Sequence, residues 1–327
     1  MKQTPKALIQ FCNLLSDLQI HDGNAIGEKL NVSRTAIWKY VKKLQTYGIE
    51  IDSIKSKGYQ FKQPLFLIDK DKIAAYVKQI KTINTFETLE STNDFLNTLK
   101  TEAHDLPIIC LSEQQTKGKG RFGKPWYAPF GQNIYLSIAI SPDIDITELS
   151  GLALATGIGI TQAIESTCQL PKQLKLKWPN DIFYDDKKLG GILIEAQAEA
   201  NGQCRLVIGI GINVNMQFDS KANKSITQPW SSIYQASQTY QDRNLLIISM
   251  IEHTLTVIET YQLNGLTPFL PQWQERDLLF NQTIDIVSGK HSYHGIAKGI
   301  NKHGHLKFEL PDKTLKTFAS GEASIRK

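Results

Sequence analysis

The sequence predicts a multidomain α+β protein, and three observations lead there. The net charge of +5 sits entirely in the first fifth of the chain: residues 1–62 hold ten Lys/Arg against five Asp/Glu, and residues 63–327 hold 27 of each. That first fifth carries helical periodicity and ends in a short alternating hairpin, whereas the middle of the chain mixes alternating strands with helical stretches. Residues 272–327 break into short strands separated by turn residues. At 327 residues the chain is long enough for more than one core. The expected units are 1–63, 68–271 and 272–327, with Pro64 and the charged run after it marking the first link.

The bulk composition narrows the class. A hydrophobic share of 41% and a charged share of 21% are those of a soluble globular protein. No apolar run approaches the roughly 18–20 residues of a membrane span, so no membrane partner is expected. The first residues are interrupted by Gln10, Asn13 and Asp17 and make a poor signal peptide. The four cysteines, Cys12, Cys110, Cys168 and Cys204, show no metal spacing and are expected reduced, mostly buried, in a cytoplasmic protein.

The first unit begins with ALIQFCNLLSDL, an amphipathic helix with Leu8, Ile9, Cys12, Leu15 and Leu18 or near neighbours on one face. NAIGEKLNVSRTAIWKYVKKLQTYG follows as helix, tight turn, helix. Ser33 is a good N-cap, and Ala36, Ile37, Val41 and Leu44 form the buried stripe of the second helix. That leaves Arg34, Thr35, Trp38, Lys39 and Lys42 on the outer face, as in a helix-turn-helix whose second helix enters the major groove. IEIDSIKSKGYQF then gives a hairpin with Lys57-Gly58 at its tip, a wing able to touch phosphate. Asn31 to Lys62 resembles a winged-helix DNA-binding domain. Ser33, Arg34, Thr35, Trp38, Lys39, Lys42 and Lys57 are its candidate DNA contacts. Protein–protein modules share the geometry, and the basic surface argues for DNA.

The central unit raises a question at GKGRFGKPW, residues 118–126. Gly118, Gly120 and Gly123 fit G-x-G-x-x-G. A dinucleotide fingerprint needs a strand before it and a helix after it. The strand is present as PIICLS, but Pro125, Pro129 and the strand NIYLSIAI stand where the helix should be. A kinase glycine loop lies between strands, but the other kinase signatures are missing. What remains is a cationic glycine-rich loop between two strands. A plain surface loop would not need Arg121 and Trp126 beside the glycines.

Four more segments align with it. ESTNDFLNTLK starts a helix at Ser91 through a capping box with Asp94, and Ser91, Thr92 and Asn93 also present hydroxyl and amide groups. LKLKWPND is a strand with Leu174, Leu176 and Trp178 buried and Lys177 at its end. Asn180 and Asp181 follow, an amide and a carboxylate able to orient that lysine or help hold Mg²⁺. KKLGGILIEA and IGIGINVN are strands that lose side chains at Gly190, Gly191, Gly209 and Gly211. That clears room for a ligand or for close packing, and the segments alone leave both open.

Together STN, QTKGKGRFGKPW, KWPND, KLGGILIE and GIGIN resemble the biotin protein ligases over nearly the whole chain. The winged helix narrows the resemblance to the bifunctional type, ligase and biotin-operon repressor in one chain. The resemblance implies a central mixed sheet with helices, like the class II synthetase core, and a C-terminal SH3-like small barrel. It implies ATP, Mg²⁺ and biotin as ligands: biotin is activated to biotinyl-5'-AMP and passed to a lysine of a biotin carboxyl carrier protein. By family position Lys177 and Arg121 are catalytic. Ser91, Thr92, Asn93, Gln115, Gly118, Lys119, Gly120, Arg121, Lys177, Gly209 and Gly211 would surround biotin. Lys119, Arg121, Trp126, Asn180, Asp181, Lys188, Asn213 and Arg326 would meet the nucleotide, Asp181 also serving Mg²⁺. Lys119 stands where an arginine is expected and lacks its bidentate fork.

In the last unit QTIDIVSG, SYHGIAKGI and HLKFEL are short strands. SGEASIR resembles the family's closing motif, with Gly321, Glu322 and Arg326 reaching toward nucleotide and Ser320 in place of a more usual glycine. Repression would follow if the adenylate-bound chain forms a homodimer that spans a two-fold operator. Two alternatives remain: a ligand-sensing repressor without ligase activity, and a lipoate or octanoate ligase.

Overall fold

The computed structural model describes residues 3–100, 105–144, 149–198, 204–218, 222, 225–320 and 323–326, the last four by backbone only. Helix α1 (Lys6–Leu15) buries Leu8, Ile9, Phe11, Cys12 and Leu15. Leu18 lies past its end with φ 62°. Asp22 caps α2 (Gly23–Leu30) by accepting from the Asn24 and Ala25 N–H groups, and Asn31 ends it in the left-handed region at φ 52°. Ser33 caps α3 (Arg34–Thr46), accepting from Ala36 N, as the sequence predicts. Strands β1 (Ile51–Ile54) and β2 (Gly58–Phe61) form the antiparallel wing. Gly58 is required there: it has φ +128°, and a Cβ would stand 1.9 Å from the His21 carbonyl oxygen.

The middle of the chain builds a seven-stranded sheet in the order β3 (Thr82–Phe86), β4 (Ile108–Ser112), β5 (Ile134–Ile140), β9 (Cys204–Ile212), β8 (Lys187–Ala198), β7 (Asp181–Tyr184), β6 (Lys175–Lys177). Only β3 and β4 run parallel; every other neighbouring pair is antiparallel. Helix α4 (Lys70–Tyr76) leads into the sheet and α5 (Thr92–Thr98) lies over β4, β5 and β9. Helices α6 (Leu149–Thr167) and α8 (Arg243–Asn264) pack together against the apolar face, with the short α7 (Ile233–Ser237) between the sheet and α8 in sequence. Leu176, Ile182, Ile192, Ile208, Ile210 and Ile212 point into that core. Helix α9 (Leu270–Arg276) runs across the 271/272 position expected as a boundary.

The last strands form an antiparallel sheet in the order β13 (Leu315–Phe318), β12 (Leu306–Glu309), β11 (His291–Ile300), β10 (Thr283–Ser288), β14 (Ala323–Arg326). Among the described residues no pairing joins its two outer strands, so the expected barrel is met as a five-stranded sheet. Ile284, Ile286, Leu306 and Phe308 belong to the same hydrophobic cluster as the central core, and Trp178 Nε1 donates to the Gly304 carbonyl at 3.0 Å.

Apolar packing and ion pairs tie the winged helix to the centre, Lys6–Asp71 at 3.0 Å among them, and a buried pair within the centre grips the link at Phe66 and Ile68. The winged-helix core takes in Leu65, Leu67 and Phe130, and Tyr47 stacks on Phe130 with centroids 3.9 Å apart. Lys43 of α3 pairs with the buried Glu87. Glu113 and Arg243 form a fully buried ion pair at 2.5 Å. Arg243 also donates to the carbonyls of Phe66 and Asn133, and Glu113 accepts from Ile68 N. A buried pair needs such added hydrogen bonds to offset its desolvation.

Candidate functional site

One cleft of about 470 Å³ opens over the sheet face opposite α6 and α8. Strand register places its floor. Lys177 lies opposite Asp181, Asp181 opposite Gly191, and Gly191 opposite Gly211. Two residues along the strands, about 7 Å away, Leu193 lies opposite Gly209 and Gly209 opposite Ser137. Side chains on alternate positions share a face, so these two rows look into the same space. The loop containing Lys119 to Trp126 closes one side, and the start of α5 closes another.

The β5 end of the cleft is a connected polar wall. Gln115 Oε1 accepts from Thr92 N at 2.7 Å and lies 3.0 Å from Thr92 Oγ1. Ser137 Oγ is 2.7 Å from Thr92 Oγ1 and 2.6 Å from Asn93 Oδ1. Asn93 Nδ2 donates to Glu195 at 2.8 Å. Lys119 Nζ meets Asp94 at 2.6 Å and Glu195 at 3.2 Å. The Asp94 hydrogen bond holds the Lys119 ammonium above its ordinary pKa, against partial burial. This explains a lysine at position 119: a compact ammonium fits between two carboxylates as a point charge. Ser91 serves as the α5 cap, accepting from Asp94 N.

The β6 end is cationic. Lys177 stands at its strand end with Nζ 5.4 Å from the Phe183 ring centre. Lys188 pairs with Asp181 at 2.7 Å and lies 5.5 Å over the Trp126 ring. Arg121 donates to the Ser320 carbonyl of the C-terminal unit, whose hydroxyl lies 2.7 Å from Ser150 Oγ. Burial lowers the Arg121 pKa and the Asp181 charge opposes that shift. The guanidinium stays charged at neutral pH.

Ser91, Thr92, Asn93, Gln115, Lys119, Gly120, Arg121, Trp126, Lys177, Asn180, Asp181, Lys188, Gly209, Gly211 and Asn213 all line this one cleft. Gly118 is not among the lining residues; a Cβ there would be 2.9 Å from the Trp126 carbonyl oxygen and 3.1 Å from Gln115 Nε2. The two strand glycines clear space for protein side chains first. A Cβ at Gly209 would fall 2.3 Å from Asn93 Oδ1, and one at Gly211 would fall 3.1 Å from the Trp126 ring. Asn213 is 3% exposed and spends its amide on Ser231 O, and Asn180 donates to Ile192 O, so both brace the floor. The loop contains only a three-residue 3₁₀ turn, Arg121–Gly123, which leaves no helix to complete a dinucleotide fingerprint. Gly321 and Glu322 lie outside the described residues, as does the side chain of Arg326.

Ser137, Glu195 and Asp94 are members of the wall that the sequence did not single out for ligand binding. Two signals pointed to them. Ser137 is the one hydroxyl on an aliphatic position of the strand IYLSIAI, buried throughout, and Glu195 shares the alternation of Gly191 and Leu193.

As for a metal, the described residues hold no cluster of three or more ligating side chains. Among the described residues that line the cleft itself, Asp181 is the one carboxylate; Asp94 and Glu195 back the wall through Lys119 and Asn93. Mg²⁺ is commonly held by one or two carboxylates with substrate phosphates and water, and this donor set fits that mode.

On the winged helix, Arg34, Thr35, Lys39, Lys42 and Lys57 are exposed, and Trp38 is 52% exposed with Lys42 Nζ 6.0 Å from its ring centre. None of them touches the cleft.

Comparison with known proteins follows the same division. Residues 12–60 match a helix-turn-helix domain model and residues 85–213 match the biotin/lipoate A/B protein ligase family. The bifunctional ligase/repressor BirA of Salmonella typhimurium is 32% identical over 326 residues, covering 100% of this chain and 99% of that one. The Escherichia coli protein of the same name is 31% identical and covers 97% of each. A structure of the Aquifex aeolicus biotin protein ligase in complex with biotin and ATP superposes with a TM-score of 0.65 at 23% identity, over 76% of this chain and 100% of that one. That likeness establishes the shared fold.

Proposed function

The chain belongs to the bifunctional ligase/repressor group of biotin protein ligases, and on that footing we propose how its own residues divide the work. The protein is an ATP-dependent biotin ligase that passes biotin to a biotin carboxyl carrier protein, and its helix-turn-helix binds DNA as a repressor. In the first step a biotin carboxylate oxygen bonds to the α-phosphorus of ATP, and the bond to the bridging oxygen breaks, so pyrophosphate leaves with the electron pair. In the second, the lysine amine bonds to the acyl carbon, the bond from that carbon to the phosphate oxygen breaks, AMP leaves with the electron pair, and the nitrogen gives up a proton to solvent.

The observation that carries the residue roles is the polarity of the cleft. Its β5 end is a hydrogen-bonding wall and its β6 end is cationic, four strands apart in the sheet, on the order of 19 Å at the usual strand spacing. A bicyclic urea fits the wall at Thr92 and Gln115, with Ser91 and Asn93 beside them in the same wall. The valerate chain lies over Gly209 and Gly211, and its carboxylate meets the cations. Lys177 and Arg121 bind the carboxylate and α-phosphate and offset the charge that develops there, which is electrostatic catalysis by fixed groups. Lys188, held by Asp181 and lying over Trp126, faces the nucleotide, and the Trp126 ring packs near the base. Asp181 would be the protein ligand of Mg²⁺, which would supply positive charge to the phosphate oxygens. Lys119 and Gly120 hold the loop against α5 and keep water from the mixed anhydride.

Repression runs through a homodimer that forms when the adenylate is bound and spans two operator half-sites. The loop before Phe130 and the winged-helix core share that residue, which gives ligand closure a mechanical route to the DNA-binding module. Free cysteines and a DNA partner fit a cytoplasmic protein.

The test is a transfer assay with biotin, Mg-ATP and an isolated biotin-acceptor domain, followed by mass. One biotin is gained by the acceptor, Lys177→Ala loses the gain, and lipoate gives none. A gain with lipoate instead of biotin, or a Lys177→Ala variant as fast as the parent, refutes these roles. Sedimentation with and without biotin plus ATP tests the dimer; an unchanged sedimentation coefficient rejects it.

A further inference from the structure

We infer that Glu195 is a positioning residue that fixes the direction of the hydrogen bonds along the cleft wall, so that Thr92 accepts from the ligand while Gln115 donates to it. This rests on the biotin reading above for the identity of the ligand.

The argument is one of proton counting. An ionised carboxylate accepts and cannot donate. The Asn93 amide atom 2.8 Å from Glu195 Oε2 is therefore Nδ2, and Oδ1 turns toward Ser137 Oγ, 2.6 Å away. An amide oxygen only accepts, so the single hydroxyl proton of Ser137 goes to Asn93. Ser137 Oγ then faces Thr92 Oγ1, 2.7 Å away, as an acceptor. The other neighbour of Thr92 Oγ1 is Gln115 Oε1 at 3.0 Å, and it too is an acceptor, fixed as such by the Thr92 N–H at 2.7 Å. Whichever takes the Thr92 proton, that proton points into the wall. Thr92 Oγ1 offers the cleft only lone pairs, and Gln115 keeps Nε2 as its donor end. A cyclic urea is the complement: its N–H groups donate and its carbonyl accepts.

Glu195 is itself held from more than one side. Its Oε1 meets Lys119 Nζ at 3.2 Å, and Asn97 Nδ2 donates to Oε2 at 3.2 Å. Gly209 serves the same arrangement, since a Cβ there would occupy the position of Asn93 Oδ1. The wall therefore does not need the ligand to orient it.

The experiment exchanges an amide and a carboxylate. Glu195→Gln keeps the shape but gives position 195 a donor, so nothing compels the Asn93 amide and the wall loses its direction. Biotin titrated calorimetrically into the full chain, without ATP, then binds about tenfold to a hundredfold more weakly, the scale of an unsatisfied buried hydrogen bond. Asn93→Asp alone sets two carboxylates face to face and also weakens binding. The double variant Asn93→Asp/Glu195→Gln keeps the parent net charge and restores the order: the new amide donates to the new carboxylate, which accepts from Ser137. Its Kd returns to within about threefold of the parent. Unchanged biotin affinity in Glu195→Gln, or a double variant no better than the better single, overturns the inference. Should Glu195→Gln fail to fold, the double variant set against Asn93→Asp decides the same point. A parent chain that binds no biotin sinks the ligand reading and is thereby told apart from a failure of the polarity argument.

Discussion

The outer face of α3 and the wall of the cleft are both built from short polar and cationic side chains, yet they are held in opposite ways. Arg34, Thr35, Lys39 and Lys42 stand in solvent on a helix whose only fixed requirement is its buried stripe. Thr92, Asn93, Lys119 and Glu195 are each engaged by another side chain before any ligand arrives. The difference follows from the partner. A duplex brings its own dense charge, and exposed cations meet it by releasing counterions, so a mobile side chain suffices. A small ligand in a cleft offers few contacts, and each must be oriented in advance to be worth its desolvation.

Four substitutions probe that contrast. Arg243→Met has the strongest effect, because it removes one partner of the buried pair that joins the inter-unit link, the loop base and α8. It destabilises the chain by roughly 3–5 kcal/mol, because Glu113 is left buried and uncompensated; urea unfolding reads this. A loss below about 1 kcal/mol would show that the two regions do not share this joint. Next, Lys177→Ala slows adenylate formation by about a hundredfold to a thousandfold while low-salt DNA affinity measured without biotin and ATP stays as in the parent; pyrophosphate release and filter binding measure the two. Lys39→Ala does the reverse. Operator affinity falls a few-fold, the slope of log K against log salt drops by about one, and pyrophosphate release is unaffected. A salt slope equal to the parent's would place Lys39 away from phosphate.

The mildest substitution tests burial without a ligand. Burial raises the Asp277 carboxyl above its ordinary pKa, with the Leu279 N–H opposing. The folded state then binds the proton more tightly than the unfolded chain, so this group's contribution falls as pH rises through that window. Asp277→Asn raises Tm by about 2–4 °C at pH 7 and loses the gain toward pH 4. A gain equal at both pH values would rule out the carboxyl as its source.

Much of this molecule could be read from local chemistry. The Ser33 and Ser91 caps and the hairpin at Lys57-Gly58 depend on residues a few positions apart, and the structure has them where the sequence puts them. The same holds for the alternation that buries Leu174, Leu176 and Trp178 and leaves Lys177 at a strand end. The failure of G-x-G-x-x-G as a nucleotide loop was also local, since Pro125 and a β-branched strand follow it.

Register and long-range pairing were not local. That Gly191, Gly211 and Lys177 share a row depends on which strands lie side by side, and β5 pairs with β9 across more than sixty residues of sequence. Whether the strand glycines clear room for ligand or for protein could not be told from their spacing; in the fold they line the cleft and also give way to the Asn93 and Trp126 side chains. Ser137 and Glu195 take their place in the wall only because the fold sets them against Asn93. Which segments bury an apolar face is written in the order of the residues, because it depends on the period of a few close neighbours. Which polar groups meet is settled only when the chain has folded, because hydrogen bonds act over about 3 Å and sequence separation carries no information at that distance.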